Sequence, residues 1–503
     1  MRLLAPAAAL AAFVVMASSA WAGDWLQFGF DPARSNAPAG ATGITAVNVG
    51  TLVRQQVKLD GVVDSSAVYL RGASVDGAAH DTFFVTTSYG RTLAIDADTG
   101  TVLWEYVPPG IAGWEHSAQL TTAAPAADPG RRFLYAASPD GKIHKLSVAD
   151  GSEVTTGGWP VTITLDPQHE KIGPGINVSG NLVLASTGGY IGDIPPYQGH
   201  VVAIDRASGR LLHVFNALCS NRRGLIVPSS CQSDGAAIWG RGGVVVEPGT
   251  HNLLVATGNA PYNGRTDWGD SVLELSPDAS RLLQAYTPKN ADYLEGSDLD
   301  LGSASPAILT KSLVVQPGKD GKLRLLDLAR LNGRTGTAAP VKGGELQILP
   351  APRSHLVVTA PAVWHSQSRS WVFVGDYGAT GGYVLVPGVK PRLRRVWQVA
   401  NGGSSPIVAG GLLYVFDPLA GGVHVYQPTT GKLVTTLPTG LGHWNSPIVA
   451  DSRVAVPEGD SNNHHATGVL DIFRLPGGGS NRAATRVTMP ACDSGESSSG
   501  CAR

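Results

Sequence analysis

The stretch Phe83-Phe84-Val85-Thr86-Thr87-Ser88-Tyr89-Gly90-Arg91-Thr92-Leu93-Ala94-Ile95-Asp96-Ala97-Asp98-Thr99-Gly100, followed by Val102-Leu103-Trp104, decides the fold. β-branched and aromatic residues run up to Ser88, break at Tyr89-Gly90, resume to Ile95, and break again at Asp96 to Gly100. Asp and Thr bond neighbouring amides in such turns, and Gly takes the positive φ they need. The pattern predicts strand, turn, strand, turn, strand. Related copies follow at Leu134 to Gly151, Leu182 to Gly209, Leu253 to Ser280, Leu313 to Leu328, Val372 to Val386, Leu412 to Gly431 and Val454 to Phe473.

Ahead of each copy lies a run of small residues, for example Ser65-Ser66-Ala67-Val68, Ala123-Ala124-Pro125-Ala126, Ser404-Ser405-Pro406-Ile407 and Asn445-Ser446-Pro447-Ile448. Small side chains suit an innermost strand where several sheets converge on one axis. Eight such beats, roughly 40 to 65 residues apart, predict an all-β propeller of eight four-stranded antiparallel blades. The last copy stops at Phe473, before Pro476-Gly477-Gly478-Gly479, one strand short. The orphan strand Leu52 to Leu59 is expected to complete that blade and close the ring, leaving no open edge.

The domain reading follows. Residues 1–22 place Arg2 before an apolar run and end Ala20-Trp21-Ala22, the pattern of a secretory signal, so a periplasmic or secreted protein is expected. The propeller spans 23–476, and 477–503 form a polar tail. With 38 Lys plus Arg against 39 Asp plus Glu, the chain has no field to attract nucleic acid or an anionic membrane. No segment after the first is long and apolar enough to span a bilayer. Four cysteines form two sequence-local pairs, Cys219 with Cys231 and Cys492 with Cys501. Both are expected as disulfides in an exported chain, each contributing ~3 kcal/mol.

The Asp-x-x-Thr-Gly turn followed by an outer-strand Trp resembles the repeat of the pyrroloquinoline-quinone (PQQ) propellers, a family that includes quinoprotein alcohol dehydrogenases and non-enzymatic scaffolds. Four further segments are similar to the dehydrogenases and fall in their order. Trp239-Gly240-Arg241 resembles the segment supplying the floor on which the quinone stacks. Thr257-Gly258-Asn259 resembles the one whose Asn binds Ca²⁺. Asp298-Leu299-Asp300 resembles the segment ending in the catalytic Asp, matched by Asp300, which is also a candidate metal ligand. Gln316-Pro317-Gly318-Lys319 resembles the one whose basic residue binds a quinone carbonyl, matched by Lys319.

By implication the cofactors are PQQ and Ca²⁺ and the substrate is a small alcohol or sugar. The residue types suit those roles, since Ca²⁺ takes oxygen ligands and a carboxylate can accept a hydroxyl proton. Each has a plainer reading as well: packing for Trp239, a positive-φ turn for Asn259, inter-blade bonds for Asp298 and Asp300, a hairpin turn for Lys319.

The chain departs from the dehydrogenases in two places. It has no adjacent cysteine pair to cover a quinone, and Tyr190 stands where they carry an acidic metal ligand, with Asp193 close by. The alternative class is a non-catalytic propeller whose rim binds an envelope protein or polymer. His443-Trp444 and Trp114-Glu115-His116 stand just before inner strands, where they would line the axial mouth. His464-His465 reads as a solvated loop, and Asn177-Val178-Ser179 as a poor glycosylation site.

Overall fold

The computed structural model describes residues 23–333, 341–354, 356–366 and 368–477. They form eight four-stranded antiparallel sheets: blade 1 (68–106), blade 2 (126–162), blade 3 (177–216), blade 4 (245–286), blade 5 (307–350), blade 6 (362–399), blade 7 (407–437) and blade 8 (448–474 with 53–59). One short α-helix, Ala291–Gly296, joins blades 4 and 5. The eight-bladed propeller read from the repeats is the observed architecture.

Ring closure occurs where it was expected. Val53–Leu59 pairs antiparallel with Gly468–Arg474 in one unbroken register, from Val53 opposite Arg474 to Leu59 opposite Gly468. Arg54 Nε and Nη2 lie 2.8 and 2.9 Å from the two Asp471 carboxylate oxygens, and Nη2 lies 2.7 Å from Glu458. The small-residue runs largely precede the inner strands rather than forming them. Ser65 and Ser66 lead into Val68–Val75, while the inner strands of blades 2 and 4 are only Ala126–Ala127 and Val245–Val246.

Neighbouring blades are fastened by a recurring dock. The Asp96 carboxylate accepts Thr99 N at 2.7 Å and Asp98 N at 3.0 Å, shaping the turn that ends in Gly100 at φ 74°. The outer-strand indole of one blade then lies on the same turn of the next. Trp104 Nε1 donates to Val148 O at 2.9 Å over Gly151, where an added Cβ would come within 2.6 Å of the ring; Trp397 Nε1 donates to Pro428 O at 2.8 Å over Gly431. The closing strand uses the same seat. Gln55 Nε2 donates to Thr99 O at 2.6 Å, over Gly100. Between these docks, buried apolar clusters fill the space from each sheet to the next, as in Tyr135, Val161, Val178 and Val202 between blades 2 and 3.

A feature the sequence did not disclose is a belt formed by residues 25–36 against the inner strands. Trp25 and Tyr69 exchange both backbone bonds at 2.8 Å. Ala127 N donates to Leu26 O, Val246 N to Pro32 O, Val363 N to Ser35 O and Val408 N to Asn36 O, all at 2.7–2.8 Å, and Val178 N donates to Gln27 Oε1 at 2.8 Å. Amides from blades 1, 2, 3, 4, 6 and 7 are thereby satisfied by one segment. Phe28 packs on Ala124 and Ala360 from blades 2 and 6. Arg34, 2% exposed, donates to the carbonyls of Gly242, Phe28 and Gly175, and burial pulls its guanidinium down to about 9.

The Cys219–Cys231 disulfide is formed, with Cα atoms 6.2 Å apart. Cys492, Cys501, the rest of the tail from 478 and the signal segment 1–22 lie outside the described residues. Among the described residues no helix is long and apolar enough to cross a membrane.

Candidate functional site

In each blade the chain enters the inner strand from the same end of the ring at which the second and third strands are joined. Trp239 and Asp300 stand in the connections entering blades 4 and 5; Asn259 and Lys319 stand in the middle turns of those blades. Topology therefore delivers all four sequence-singled residues to one end of one inter-blade seam.

There they make direct contact. Asn259 N donates to Asp300 Oδ1 at 2.8 Å, and Asn259 Nδ2 to Asp298 Oδ1 at 3.2 Å. Lys319 Nζ lies 2.7 Å from Asp298 Oδ1 and 3.2 Å from Asp300 Oδ2, and its backbone N donates to Asp300 O at 3.0 Å. A Cβ at Gly258 would overlap Asp300 Oδ1 and sit 3.4 Å from Trp239 Nε1, so the glycine allows carboxylate and indole to meet. Burial acts to lower the Lys319 ammonium, but Asp300 and Asp298 outweigh it and hold it above its usual range. The Asn259 Oδ1 atom is buried and has no partner.

Two more carboxylates belong to the cluster. Tyr190 OH donates to Pro167 O at 2.7 Å, and it is Asp193 whose carboxylate senses this site. Tyr197 OH donates to Asp193 Oδ1 at 3.0 Å, and burial, then the Asp300 charge, raises the Asp193 carboxyl. Asp270, 1% exposed, accepts Leu301 N at 2.9 Å through Oδ1 and is pushed up to about 8, by burial foremost and by Asp300 in addition. A cleft of about 550 Å³, lined by Asp193, Tyr197, Asp234, Asn259, Glu295 and Asp298, opens onto the cluster.

The Trp239 indole reaches across the axis to blade 8. Its ring centroid lies 5.5 Å from that of Trp444 at 31°, and Trp444 stacks on His443 at 3.8 Å with the Arg241 guanidinium 5.1 Å away. Beneath them Asp64, fully buried, ties three blades together. Its Oδ1 takes Arg241 Nη2 at 2.9 Å; its Oδ2 takes His443 Nδ1 at 2.8 Å and Ser461 Oγ at 2.6 Å. Burial opposes the charge on Asp64, yet Arg241 and His443 prevail and hold the carboxyl well below the usual range. Asp64, His443 and Asp460 are close enough to share an ion, but Arg241 already supplies the positive charge there.

His443 and Trp444 were legible as lining the mouth; Asp64, Arg241 and Asp270 were not. Trp239-Gly240-Arg241 was noted for its indole, whereas its guanidinium bonds Asp64, 177 positions away. Among the remaining motifs, His464 Nδ1 lies 3.4 Å from Tyr89 OH and its carbonyl 3.2 Å from His116 Nδ1, a contact between blades 8 and 1. Asn177 is fully buried, donating to Pro32 O and Val244 O.

The family model for the outer membrane protein assembly factor BamB matches residues 41–214. Quinohemoprotein alcohol dehydrogenase ADH IIB of Pseudomonas putida is 25% identical over 381 residues, covering 66% of this chain and 50% of that protein. The chain is similar to the PQQ-like propellers. It spans about half the length of the curated dehydrogenase it matches. Among solved structures, a europium-containing methanol dehydrogenase shares this propeller fold with a TM-score of 0.64 at 15% identity, over 90% of this chain and 98% of its own. BamB from Moraxella catarrhalis shares it at 0.51 and 13% identity, over 84% and 99%.

Proposed function

We propose that this PQQ-like propeller is a quinoprotein-type oxidoreductase, exported to the periplasm or beyond, that oxidises the hydroxyl of a small alcohol or sugar. The observation that carries the reading is the unpartnered, buried Asn259 Oδ1, set among the carboxylates of Asp193, Asp298 and Asp300 at the edge of the Trp239 ring. A buried amide oxygen without a donor is costly unless something binds it. Hard oxygen donors on flexible loops are the set that Ca²⁺ takes.

In this reading Asn259 and Asp300 hold the cation, with Asp193 a second acidic contributor in place of Tyr190. Trp239 supports the flat ring system of PQQ, and Lys319 offers its ammonium to a carbonyl oxygen. Asp300, 7% exposed, also takes the Asn259 amide on Oδ1 and the Lys319 ammonium on Oδ2. PQQ when bound supplies a two-electron acceptor. Lys319 and a cation compete for Asp300, so cation binding loosens the ammonium toward the ring.

Titration of the purified protein with PQQ and Ca²⁺, followed by quinone absorbance and dye reduction with a panel of alcohols and sugars, tests the proposal. Saturable binding that Trp239→Ala and Asn259→Ala weaken at least tenfold is expected. Absence of binding to the unmodified protein, or binding indifferent to both substitutions, overturns it. The match to the BamB family model over 41–214 favours a second reading, a non-catalytic scaffold for envelope proteins or polymers. Retention of a specific envelope partner by protein that binds no quinone is its expected signature.

A further inference from the structure

Asp300 is a constrained base: one oxygen accepts an amide and the other an ammonium. Across the Trp239 ring stands a basic group with neither restriction. His443 is held by its Nδ1, 2.8 Å from Asp64 Oδ2 and 3.6 Å from Asp460 Oδ1. Two carboxylates at one ring nitrogen fix the proton there, which leaves Nε2 with its lone pair. Stacking on Trp444 sets the plane of the imidazole, and Asn445 Oδ1 accepts His443 N at 2.8 Å. The side chain keeps 17% of its surface exposed, and Nε2 has no protein partner among the described residues.

We infer that His443, oriented by Asp64, is a proton acceptor at the axial mouth, and that its Nε2 takes the hydroxyl proton of a ligand lying over Trp239 and Trp444. The arrangement is the orienting half of a carboxylate–imidazole pair. In the reaction proposed above, the O–H bond of the alcohol breaks and its proton forms the imidazolium. PQQ, if bound, would supply the acceptor for the carbinol hydrogen and its electron pair, so that the alcohol would become a carbonyl compound, and His443 would pass on its proton to complete the two-electron, two-proton balance. That redox step rests on the proposed function; the orientation of the imidazole does not.

The charged groups facing His443 are Asp64 and Asp460, with Arg241 behind Trp444 and Lys171 beyond it. The Asp376 and Asp417 carboxylates near Trp444 accept amides of their own turns. Lys171 exchanges backbone bonds with Gly188, and burial, with Arg241 adding, lowers its ammonium to about 8. Near neutral pH Lys171 therefore still carries its charge and adds to the field of the Asp64–Arg241 pair.

Two measurements decide the matter. Nitrogen-15 NMR of the purified protein at pH 8 reads the tautomer directly: a protonated Nδ1 with a bare Nε2 is expected, and a protonated Nε2 overturns the inference whether or not a quinone binds. His443→Asn keeps a donor toward Asp64 while removing the lone pair. With PQQ and Ca²⁺ loaded, this variant is expected to bind PQQ within threefold of the unmodified protein. It should lose at least 100-fold in dye-reduction turnover, together with the acid limb of the pH profile. Turnover within threefold and an unchanged acid limb overturn the proton transfer. If the unmodified protein binds no quinone, the proposed function falls and the tautomer alone judges His443.

Discussion

At the scale of single residues, Gly258 carries more of the site than any side chain beside it. A Cβ there would overlap the Asp300 carboxylate and crowd Trp239. Gly258→Ala is expected to leave far-UV circular dichroism unchanged while weakening Ca²⁺ binding at least tenfold, read by calorimetry. Glu170 illustrates a buried acid of a different kind. It is 1% exposed, and burial pushes its carboxyl up to about 8, against hydrogen bonds from Thr164 Oγ1 and Gln198 N. A carboxyl raised on folding stabilises the protein below its unfolded pKa, and that stability is lost as pH rises through the folded value. Thermal melts of the unmodified protein should therefore fall between pH 4.5 and 8, and those of Glu170→Gln should fall less, by an amount on the order of 2 kcal/mol at pH 8.

At the scale of elements, the outer-strand indole and the closing strand are the two joints to probe. Trp104 is 8% exposed and fills the seat above Gly151. Trp104→Ala should cost about 3 kcal/mol in denaturant unfolding and Trp104→Phe about 1, because Phe keeps most of the buried area and loses the bond to Val148 O. Arg54→Ala strips Asp471 of its cation. Burial already pushes that carboxyl up to about 7, so the deficit of the variant is expected to be small at pH 4 and to grow to about 3 kcal/mol by pH 8.

These elements were legible in the sequence because their signals are local. Asp96, Thr99 and Gly100 form one turn by themselves, and the orphan strand at 53–59 was conspicuous once the eighth copy proved one strand short. The cluster around Asn259 was legible by order along the chain. The Asp64–Arg241–His443 network joins residues 177 and 379 positions apart. No periodicity reports such a distance, and an isolated Asp ahead of Ser65-Ser66 looks like any solvated turn.

At the scale of the molecule, the belt is the least conventional part. Arg34 offers its guanidinium to three carbonyls, two of them from blades 3 and 4, with no carboxylate in hydrogen-bonding contact. Arg34→Met is expected to leave those carbonyls unsatisfied and to lower the unfolding free energy by about 3 kcal/mol. Limited proteolysis should then find the segment before residue 53 cut far sooner than in the unmodified protein, while the blades stay resistant.

Belt and closing strand together order the events of folding. The strand that begins at Val53 waits for Gly468–Arg474, so an arginine made early meets its aspartate 417 residues later. Seven blades can assemble as the chain lengthens, each on the one before it, but the ring stays ajar until the last blade arrives. So wide a separation makes the final step slow by loop-closure entropy. A chain arrested just short of its end would have nearly all of its sheets and none of its closure.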